Sequence, residues 1–393
     1  MNSVQCHATE PASGFSSAKR FRISLLLITV TLSLAAQGTF RFSGQLSSWA
    51  AGTTGGELPL WGGARYIPQF NPGYDMDGSK LDAELSANIY GSLGFRPFDT
   101  STTAGDMKPY RLWMRYSTNQ LEVRVGLQKL SFGSGMMLRP LMWFDRLDAR
   151  DPLKLTEGVW GIMTRYFFLN NTNIWFWALY GNHEPRGWEA VPGNKKIPEL
   201  GGRVQFPVPS GEFAVTYNHR IADSRDMAGM FTPYDKIPED KVGFDAKWDL
   251  KTGLWIEGSF THKGRDLGVL TNQLVLSAGV DYTFGVGNGL YAAFEQLVIS
   301  QDAEPFAFTD PGAFSGLSVS YPVGLFDKFS MIIYCNWSEG NLYNFLQWQK
   351  QFNKTALYLM AYWNPESLAL PAQTEASGIF AGRGIQFMFV YNH

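Results

Sequence analysis

Six charged side chains are concentrated in one short segment of the chain, between residues 138 and 152. They are three arginines and three aspartates, Arg139, Asp145, Arg146, Asp148, Arg150 and Asp151. The planar guanidinium of arginine stays charged and binds carboxylates through two parallel hydrogen bonds, so such a segment can recognise charged solutes. In a water-filled passage these groups would form a constriction that selects solutes by charge and size. The alternative is that the arginines and aspartates pair with one another and only seal the passage.

Residue patterns typical of enzymes are weak in this chain. The histidines are His7, His183, His219, His262 and His393, and none of them forms a His-x-x-x-His or His-Glu-x-x-His pattern. A hydrolase would need His219 or His262 to meet Ser259, which the sequence does not show. No helical pattern follows the glycine-rich segment 285–289, so it predicts no phosphate-binding loop. We therefore expect no enzyme, and neither a cofactor nor a metal.

The elements that would position the charged side chains are short strands rather than helices. From residue 80 to residue 90, apolar side chains occupy every second position and mostly polar ones the positions between. A repeat of two residues is typical of a half-buried strand and would scatter around a helix. Residues 121–128, 241–250 and 385–392 repeat the pattern. The sequence therefore predicts an all-β fold whose strands each have one apolar and one polar face.

The connections between these strands alternate in length. Short ones are predicted at residues 117–120, 169–171, 209–211, 251–253, 285–289, 322–327 and 351–354. Long ones are predicted at residues 95–108, 132–157, 183–198, 221–240, 302–313 and 365–382. In an outer-membrane barrel the short turns lie on the periplasmic side and the long loops face outward. We therefore predict a transmembrane antiparallel up-and-down β-barrel with the charged segment on an external loop.

The number of strands follows from parity. Seventeen segments are clear if residues 38–49 form the first, but both termini can lie in the periplasm only if the count is even. A further strand near residues 60–69 restores an even number. We predict about 18 strands, with 16 as the alternative.

The amino-acid composition is typical of a protein whose outer surface contacts the hydrocarbon of a membrane. Aromatic residues make up 15% of the chain and charged residues only 17%, whereas charged residues are about a quarter of a typical soluble protein. Aromatic rings with polar tips are favoured where hydrocarbon gives way to headgroups. The segment 173–180 carries large apolar side chains on both faces, which a strand beside a plug or a subunit contact could use. The net charge of −2 gives no reason to expect nucleic acid as a partner.

The first 36 residues have the features of a cleavable signal peptide behind a polar extension. Lys19, Arg20 and Arg22 precede an apolar run over residues 23–36, which suits a signal peptide but is short for a membrane-spanning helix of roughly 20 residues. A retained membrane anchor is the alternative. We expect a signal peptide at residues 1–36 and a single barrel domain at residues 37–393, in the outer membrane of a Gram-negative cell.

The alternation also predicts which charged side chains face the lumen. They lie on the polar sides of their strands and comprise Glu84, Arg111, Arg115, Glu122, Arg124, Arg165 and Arg203. Together with the segment 138–152 they would line the passage with arginines next to acidic groups.

Part of the chain resembles a known family. The resemblance is carried by residues 108–120, by Gly126-Leu-Gln-Lys129, and by the Arg-Pro, Trp-Phe-Asp and Arg-Asp-Pro-Leu groups between residues 139 and 153. These are similar to porin-like outer-membrane proteins related to the alginate-export type of barrel. The resemblance implies an 18-stranded barrel with an arginine-rich lumen, and anions among its solutes. It does not imply that alginate is a solute of this chain, because this lumen mixes acidic groups with arginine. The chain departs from such barrels by ending in His393 rather than in an aromatic residue of the usual kind.

These observations together predict a porin-like channel for passive diffusion of small hydrophilic solutes, anions included. The alternative is a plugged structural or partner-docking barrel without an open channel. The partners expected are outer-membrane lipids, small hydrophilic solutes, the barrel-assembly machinery and, in a homo-oligomer, further copies of the chain.

Overall fold

Each of the predicted strands finds its partner in one closed sheet. The computed structural model describes residues 38–227, 233–366 and 379–393, so the expected signal peptide at residues 1–36 lies outside the described residues. The strands are β1 (Thr39–Thr53), β2 (Leu60–Met76), β3 (Ser79–Phe95), β4 (Ser101–Thr118), β5 (Leu121–Gln128), β6 (Val159–Phe167), β7 (Asn173–Leu179), β8 (Glu199–Val208), β9 (Gly211–Ala222), β10 (Ile237–Asp249), β11 (Gly253–Lys263), β12 (Asn272–Phe284), β13 (Leu290–Asp302), β14 (Gly312–Pro322), β15 (Asp327–Asn336), β16 (Asn341–Gln351), β17 (Thr355–Trp363) and β18 (Arg383–Asn392).

The sheet closes because the first strand pairs with the last. Every strand is antiparallel to the next one along the chain, and β1 also pairs with β18, from Gln45 opposite Asn392 to Thr53 opposite Gly384. Closure leaves no unpaired edge, which is the condition for a sheet that spans a membrane. The prediction of an 18-stranded up-and-down barrel is confirmed, and the additional strand expected near residues 60–69 is β2. The alternative count of 16 is wrong.

All the long connections lie at one end of the barrel, as the sequence predicted, although residues 96–100 and 337–340 at that end are also short. One end of the barrel, here the turn end, has connections as short as residues 77–78, 119–120 and 209–210. The other, the loop end, has the longest ones, including loop 3 (residues 129–158) and loop 4 (residues 180–198).

The long connection predicted at residues 95–108 is wrong. β3 and β4 pair as far as Phe95 opposite Ser101, which leaves only residues 96–100 between them. Residues 101–108 are exposed and mostly polar or small, and their sequence lacks the alternation that identifies a strand. Their cross-strand pairing with β3 makes them one.

The outer wall carries the apolar face of the strands. Leu85, Ile89 and Leu93 of β3 are 38%, 38% and 42% exposed, and Phe176 of β7 is 64% exposed. Such exposure would be costly in water, because a soluble monomer rarely shows an apolar patch of more than a few hundred Å². A continuous apolar band around a closed barrel is the surface that hydrocarbon covers. No helix among the described residues is long and apolar enough to cross a membrane.

The most densely packed region lies inside the barrel. Phe132, Trp143 and Phe144 of loop 3 pack against Trp175 and Trp177 of β7 in one buried cluster. This explains why residues 173–180 are apolar on both faces: one face meets the membrane side and the other meets an inserted loop, as the sequence suggested for a strand beside a plug.

Candidate functional site

Loop 3 folds into the lumen and contacts the inner wall in three sectors. Its first part belongs to the cluster on β6 and β7, with Leu141 and Trp143 at 1% and 2% exposure. Leu138 packs in a second cluster formed by β12 to β17. Leu153 packs against a third cluster on β17 and β18. A loop with apolar anchors on so much of the wall is a fixed partition of the lumen rather than a flexible lid.

The tip of loop 3, residues 135–138, is held by two wall carboxylates. Glu295 of β13 accepts hydrogen bonds from the backbone N–H groups of Met136, Met137 and Leu138, at 2.6, 2.9 and 2.6 Å. Glu257 of β11 accepts one from Gly135. Glu295 is completely buried, so these charge-assisted bonds replace the water that its carboxylate has lost. We name this arrangement the tip latch.

The six charged residues predicted as a constriction are largely engaged with their own loop. Arg139 donates to both oxygens of Asp145 at 2.8 and 3.3 Å, and these side chains are 7% and 1% exposed. Arg150 forms a similar two-pronged pair with Asp148, with a shortest distance of 2.6 Å. Pairs of this kind set the shape of the loop, because each charge is already met by its partner. Asp148 stays 19% exposed and is the charge of these two pairs that faces open space most.

The remaining two charged residues of the segment also serve the fold of the loops. Asp151 accepts backbone hydrogen bonds from Leu153 and Leu155 at 2.9 and 3.0 Å, and burial raises the pKa of its carboxyl above the ordinary value despite these bonds. Arg146 donates to the backbone oxygen of Pro185 in loop 4. Loop 3 therefore narrows the lumen with its backbone and apolar side chains more than with free charges.

Loop 4 is a second inserted loop, packed on loop 3. The indole of Trp188 donates to the backbone oxygen of Arg139 at 2.7 Å, and Gln273 of β12 donates to the backbone oxygen of Trp188 at 3.3 Å. Arg186 of loop 4 pairs with Glu199 at the start of β8 at 2.7 Å. The two loops thus join the β6–β8 side of the wall to its β10–β13 side.

The arginines predicted to face the lumen lie on the inner wall of β4, β5, β6 and β8. Arg111 donates to the backbone oxygens of Tyr110 and Thr156 at 2.6 and 2.8 Å and stacks on the Tyr110 ring at 4.0 Å. Arg203 is held more firmly, because it donates to both oxygens of Asp245, at 2.5 and 2.9 Å. These two side chains are 6% and 4% exposed.

Arg115 and Arg124 share the acidic groups of the same wall. Arg115 donates to both oxygens of Asp82 at 2.9 and 2.7 Å, and Arg124 donates to Glu122 at 2.7 Å. Both guanidinium groups lie against the ring of Trp113, at 5.5 and 4.7 Å from its centre. The predicted acidic residue Glu122 therefore bridges two arginines, since it is also 3.8 Å from Arg115.

Two arginines of this wall have no carboxylate within ion-pair distance among the described residues. Arg165 lies opposite Glu122 in the register of β5 and β6, and its guanidinium stacks on the rings of Trp175, at 3.5 Å, and Phe167, at 5.6 Å. Arg65 of β2, which the sequence reasoning missed, lies over the ring of Tyr90 at 5.6 Å and is near enough to Asp151 of loop 3 to attract its carboxylate. The Nε atom of each is buried without a hydrogen-bond partner. Glu84, the remaining predicted lumen residue, accepts a hydrogen bond from Ser86 on its own strand at 3.2 Å.

The hydrolase arrangement does not form between the residues considered for it. Ser259 is buried on the lumen side and accepts a hydrogen bond from Trp143 at 2.9 Å. His219 and His262 lie on the outer face of their strands, where they pair with Asp240 and Asn272 at 2.8 and 2.7 Å. The wall separates the serine from both histidines. Among the described residues no group of three or more His, Cys, Asp or Glu could hold a metal ion.

Several solved structures share this fold. No protein-family model and no curated protein matches the chain. Among solved structures, OccAB2 of Acinetobacter baumannii matches 90% of this chain and 98% of its own, with a TM-score of 0.54 and 10% identity. OccK5 (OpdH) of Pseudomonas aeruginosa matches 90% of this chain and 97% of its own, with a TM-score of 0.53 and 10% identity. An anion-selective porin from Comamonas acidovorans matches 91% of this chain and 100% of its own, with a TM-score of 0.50 and 12% identity. This chain has the porin fold. At identities this low the likeness concerns the fold and not the solutes.

Three features of this porin fold were not predicted from the sequence. The tip latch escaped notice because Glu257 and Glu295 look like ordinary inward polar positions, and their partners are backbone groups more than 100 residues away. Loop 4 was expected as a long connection, but its inward course has no sequence signature. Arg65 was missed because the strand near residues 60–69 was inferred from parity and not from an alternating pattern, so its lumen face was not assigned.

Proposed function

We propose that the chain is an outer-membrane channel for passive diffusion of small hydrophilic solutes, with a preference for anions. In this proposal residues 1–36 are a signal peptide and residues 37–393 form the barrel. The observation that carries it is the arginine-rich inner wall of β2, β4, β5, β6 and β8, where Arg65 and Arg165 have no carboxylate within ion-pair distance among the described residues. A guanidinium that is not locked in a close ion pair attracts a passing anion, and aromatic stacking keeps it in place without neutralising it.

The experiment that tests this proposal removes the two arginine charges that form no close ion pair. Arg65→Gln and Arg165→Gln together should lower the anion-to-cation permeability ratio, read from the reversal potential of a planar bilayer in asymmetric potassium chloride. The matched control is Arg265→Gln, because Arg265 lies in the connection between β11 and β12 and stacks on Tyr234. An unchanged reversal potential in the double variant would remove these arginines from the permeation path.

A plugged barrel is the second candidate. It is favoured by the depth to which loops 3 and 4 are buried, with Leu141 and Trp143 almost without exposed surface. In that case the loop end would dock a partner and the membrane would carry no current. A correctly folded barrel that stays electrically silent in the bilayer supports this candidate and contradicts the first.

Relationship and assembly are also part of the proposal. The resemblance carried by residues 108–120, 126–129 and 139–153 leads us to propose kinship with the alginate-export type of barrel, insertion by the barrel-assembly machinery and a monomer or homo-oligomer in the membrane. The apolar outer band, with Phe176 at 64% exposure, supports contact with lipid.

A further inference from the structure

A carboxylate of loop 4 is bound by the wall as a solute carboxylate would be. Glu189 lies 2.5 Å from Nζ of Lys241 on β10 and 3.0 Å from Nη1 of Arg220 on β9. Arg186, three residues before it, is 3.6 Å away. Burial would raise the pKa of Glu189, but the attraction of these cations outweighs it and holds that pKa below the ordinary value. The glutamate is therefore charged and seated in a cationic site at the loop end of the lumen.

The wall keeps an excess of positive charge if Glu189 leaves. The cations of the cluster are Arg186, Arg220, Lys241 and Lys263, and its carboxylates are Glu189, Glu199 and Glu239. Glu239 is already shared by Arg220, Lys241 and Lys263, at 2.6, 3.5 and 3.8 Å. Without Glu189, four cations would face two carboxylates in surroundings with little water. An anion must replace it, because uncompensated buried charge is strongly unfavourable.

A small cavity lies beside the Glu189 carboxylate and is bordered by Glu189, Arg186, Lys241 and Lys263. It has room for about one water molecule, so a solute also needs the volume that the Glu189 side chain leaves when it withdraws. Trp143 and Trp188 form apolar walls, and Ser259, Thr261 and Gln273 add neutral polar groups. The Nε and Nη1 atoms of Arg186 are buried without hydrogen-bond partners. Charged donors, two indole faces and unused donor atoms in one cavity are typical of a site for a small polar ligand.

We propose that Arg220, Lys241 and Arg186 form a binding site for a solute carboxylate, and that Glu189 is the resident competitor for that site. The carboxylate of an entering solute takes the place of Glu189, and its carbon chain lies between the two tryptophans. This inference rests on the proposed channel function, since the solute reaches the site through the lumen. A small dicarboxylate fits best, because two negative charges match the excess that remains when Glu189 withdraws.

The exchange also loosens loop 4. Glu189 follows Trp188, whose indole holds the backbone of Arg139 in loop 3. Once Glu189 is displaced, the polar ties that still hold this part of the loop are the pair between Arg186 and Glu199, the bonds of Trp188, and the hydrogen bond from Arg220 to the backbone oxygen of Val191, among others. Solute binding therefore favours the conformation in which the Glu189 carboxylate has left Arg220 and Lys241 while the other ties of loop 4 hold, as any ligand favours the state it binds better.

Isothermal titration of the folded, detergent-purified protein with succinate tests the proposal. Succinamide, which has the same shape without charge, is the ligand control. The key variant is Glu189→Gln, and the matched control is Glu184→Gln, an exposed glutamate of the same loop. Lys241→Gln removes a cation of the site. Heat-modifiable migration on a detergent gel checks that every variant is folded.

The proposal predicts that Glu189→Gln binds succinate at least about tenfold more tightly than the unmodified protein, because the site is then vacant in most molecules rather than in a few. Lys241→Gln should bind at least about tenfold more weakly than the unmodified protein, Glu184→Gln should behave as the unmodified protein, and succinamide should not bind. If Glu189 only stabilises the loop, Glu189→Gln will bind succinate no better, and the inference is overturned.

The titration separates this inference from the channel proposal. Succinate binding can be measured in detergent whether or not the barrel conducts, and a reversal potential can be measured whether or not succinate binds at this site. Anion-selective current with no succinate binding in Glu189→Gln contradicts the inference alone. Succinate binding by a barrel that carries no current contradicts the channel proposal, and with it the route by which the solute was to arrive.

Discussion

Removing the charge of Glu295 should release the tip of loop 3. One carboxylate oxygen of Glu295 accepts from Met136 and the other accepts from Met137 and Leu138. In Glu295→Gln one of these two oxygens becomes an NH₂ group, which cannot accept a hydrogen bond from the backbone N–H groups that it faces. A buried donor left without a partner costs about 1–3 kcal/mol, and the bonds that survive lose their charge assistance. The tip latch should weaken by about 2–5 kcal/mol in total. The ratio of latched to released tip then falls by a factor of at least about 30.

Hydrogen exchange of the amides at residues 135–138 measures this directly, because exchange there requires the tip to leave Glu295. The rates should rise by at least about 30-fold in Glu295→Gln, while the amides of β13 keep their protection. Glu257→Gln is the graded control: Glu257 accepts only the bond from Gly135, so a smaller rise is expected. Single-channel current should become noisier in the same order. Tip amides that exchange at the original rate in Glu295→Gln would refute the reasoning, since the tip would then be held by its apolar contacts alone.

Three further predictions concern the charges of the lumen. Replacing both Arg65 and Arg165 by glutamine should lower the anion-to-cation permeability ratio by up to about fivefold for each charge, since one charge at 4 Å in water-like surroundings contributes about 1 kcal/mol. The permeability ratio is read from bilayer reversal potentials in low salt, where screening is least. Asp145→Asn leaves Arg139 as an unpaired buried charge and should destabilise loop 3 by about 3–5 kcal/mol. Amide hydrogen exchange over loop 3 should then be faster, while heat-modifiable migration of the barrel stays unchanged. Loop 3 amides that exchange as slowly as in the unmodified protein would contradict this. The stabilisation of loop 4 by the Glu189 carboxylate should be complete above pH 4.5, the ordinary pKa of glutamate, and should be lost as the pH falls through the lowered pKa of Glu189 in the folded protein. The rate of proteolysis of loop 4 as a function of pH tests this. Faster proteolysis already at pH 6 would contradict a lowered pKa.

The barrel could be predicted because its signals are local. Alternation with a period of two places Arg111, Arg115 and Arg124 on one face whatever the rest of the chain does, and the order of short and long connections then limits the sheet to an even number of strands. Residues 101–108 were missed as a strand because their pairing depends on β3 rather than on a pattern of their own.

The interior could not be predicted to the same depth, because it depends on contacts between distant segments. The spacing of Arg139, Asp145, Asp148 and Arg150 is compatible with free lumen charges and with internal pairs, and only the path of the loop decides between them. The internal pairs that are observed mean that replacing Arg139, Arg146 and Arg150 together would disturb the loop before it altered selectivity. The cationic site that binds Glu189 is formed by β9, β10 and loop 4, which the sequence gives no reason to bring together.

Recording from the folded protein in a planar bilayer with asymmetric potassium chloride tests the central claim most directly. The account predicts stepwise conductance and a reversal potential on the side that shows preference for chloride. A reversal potential on the potassium side would contradict the role given to the arginine wall. A barrel that shows heat-modifiable migration but no conductance would show that loops 3 and 4 close the lumen and that the chain is not a channel.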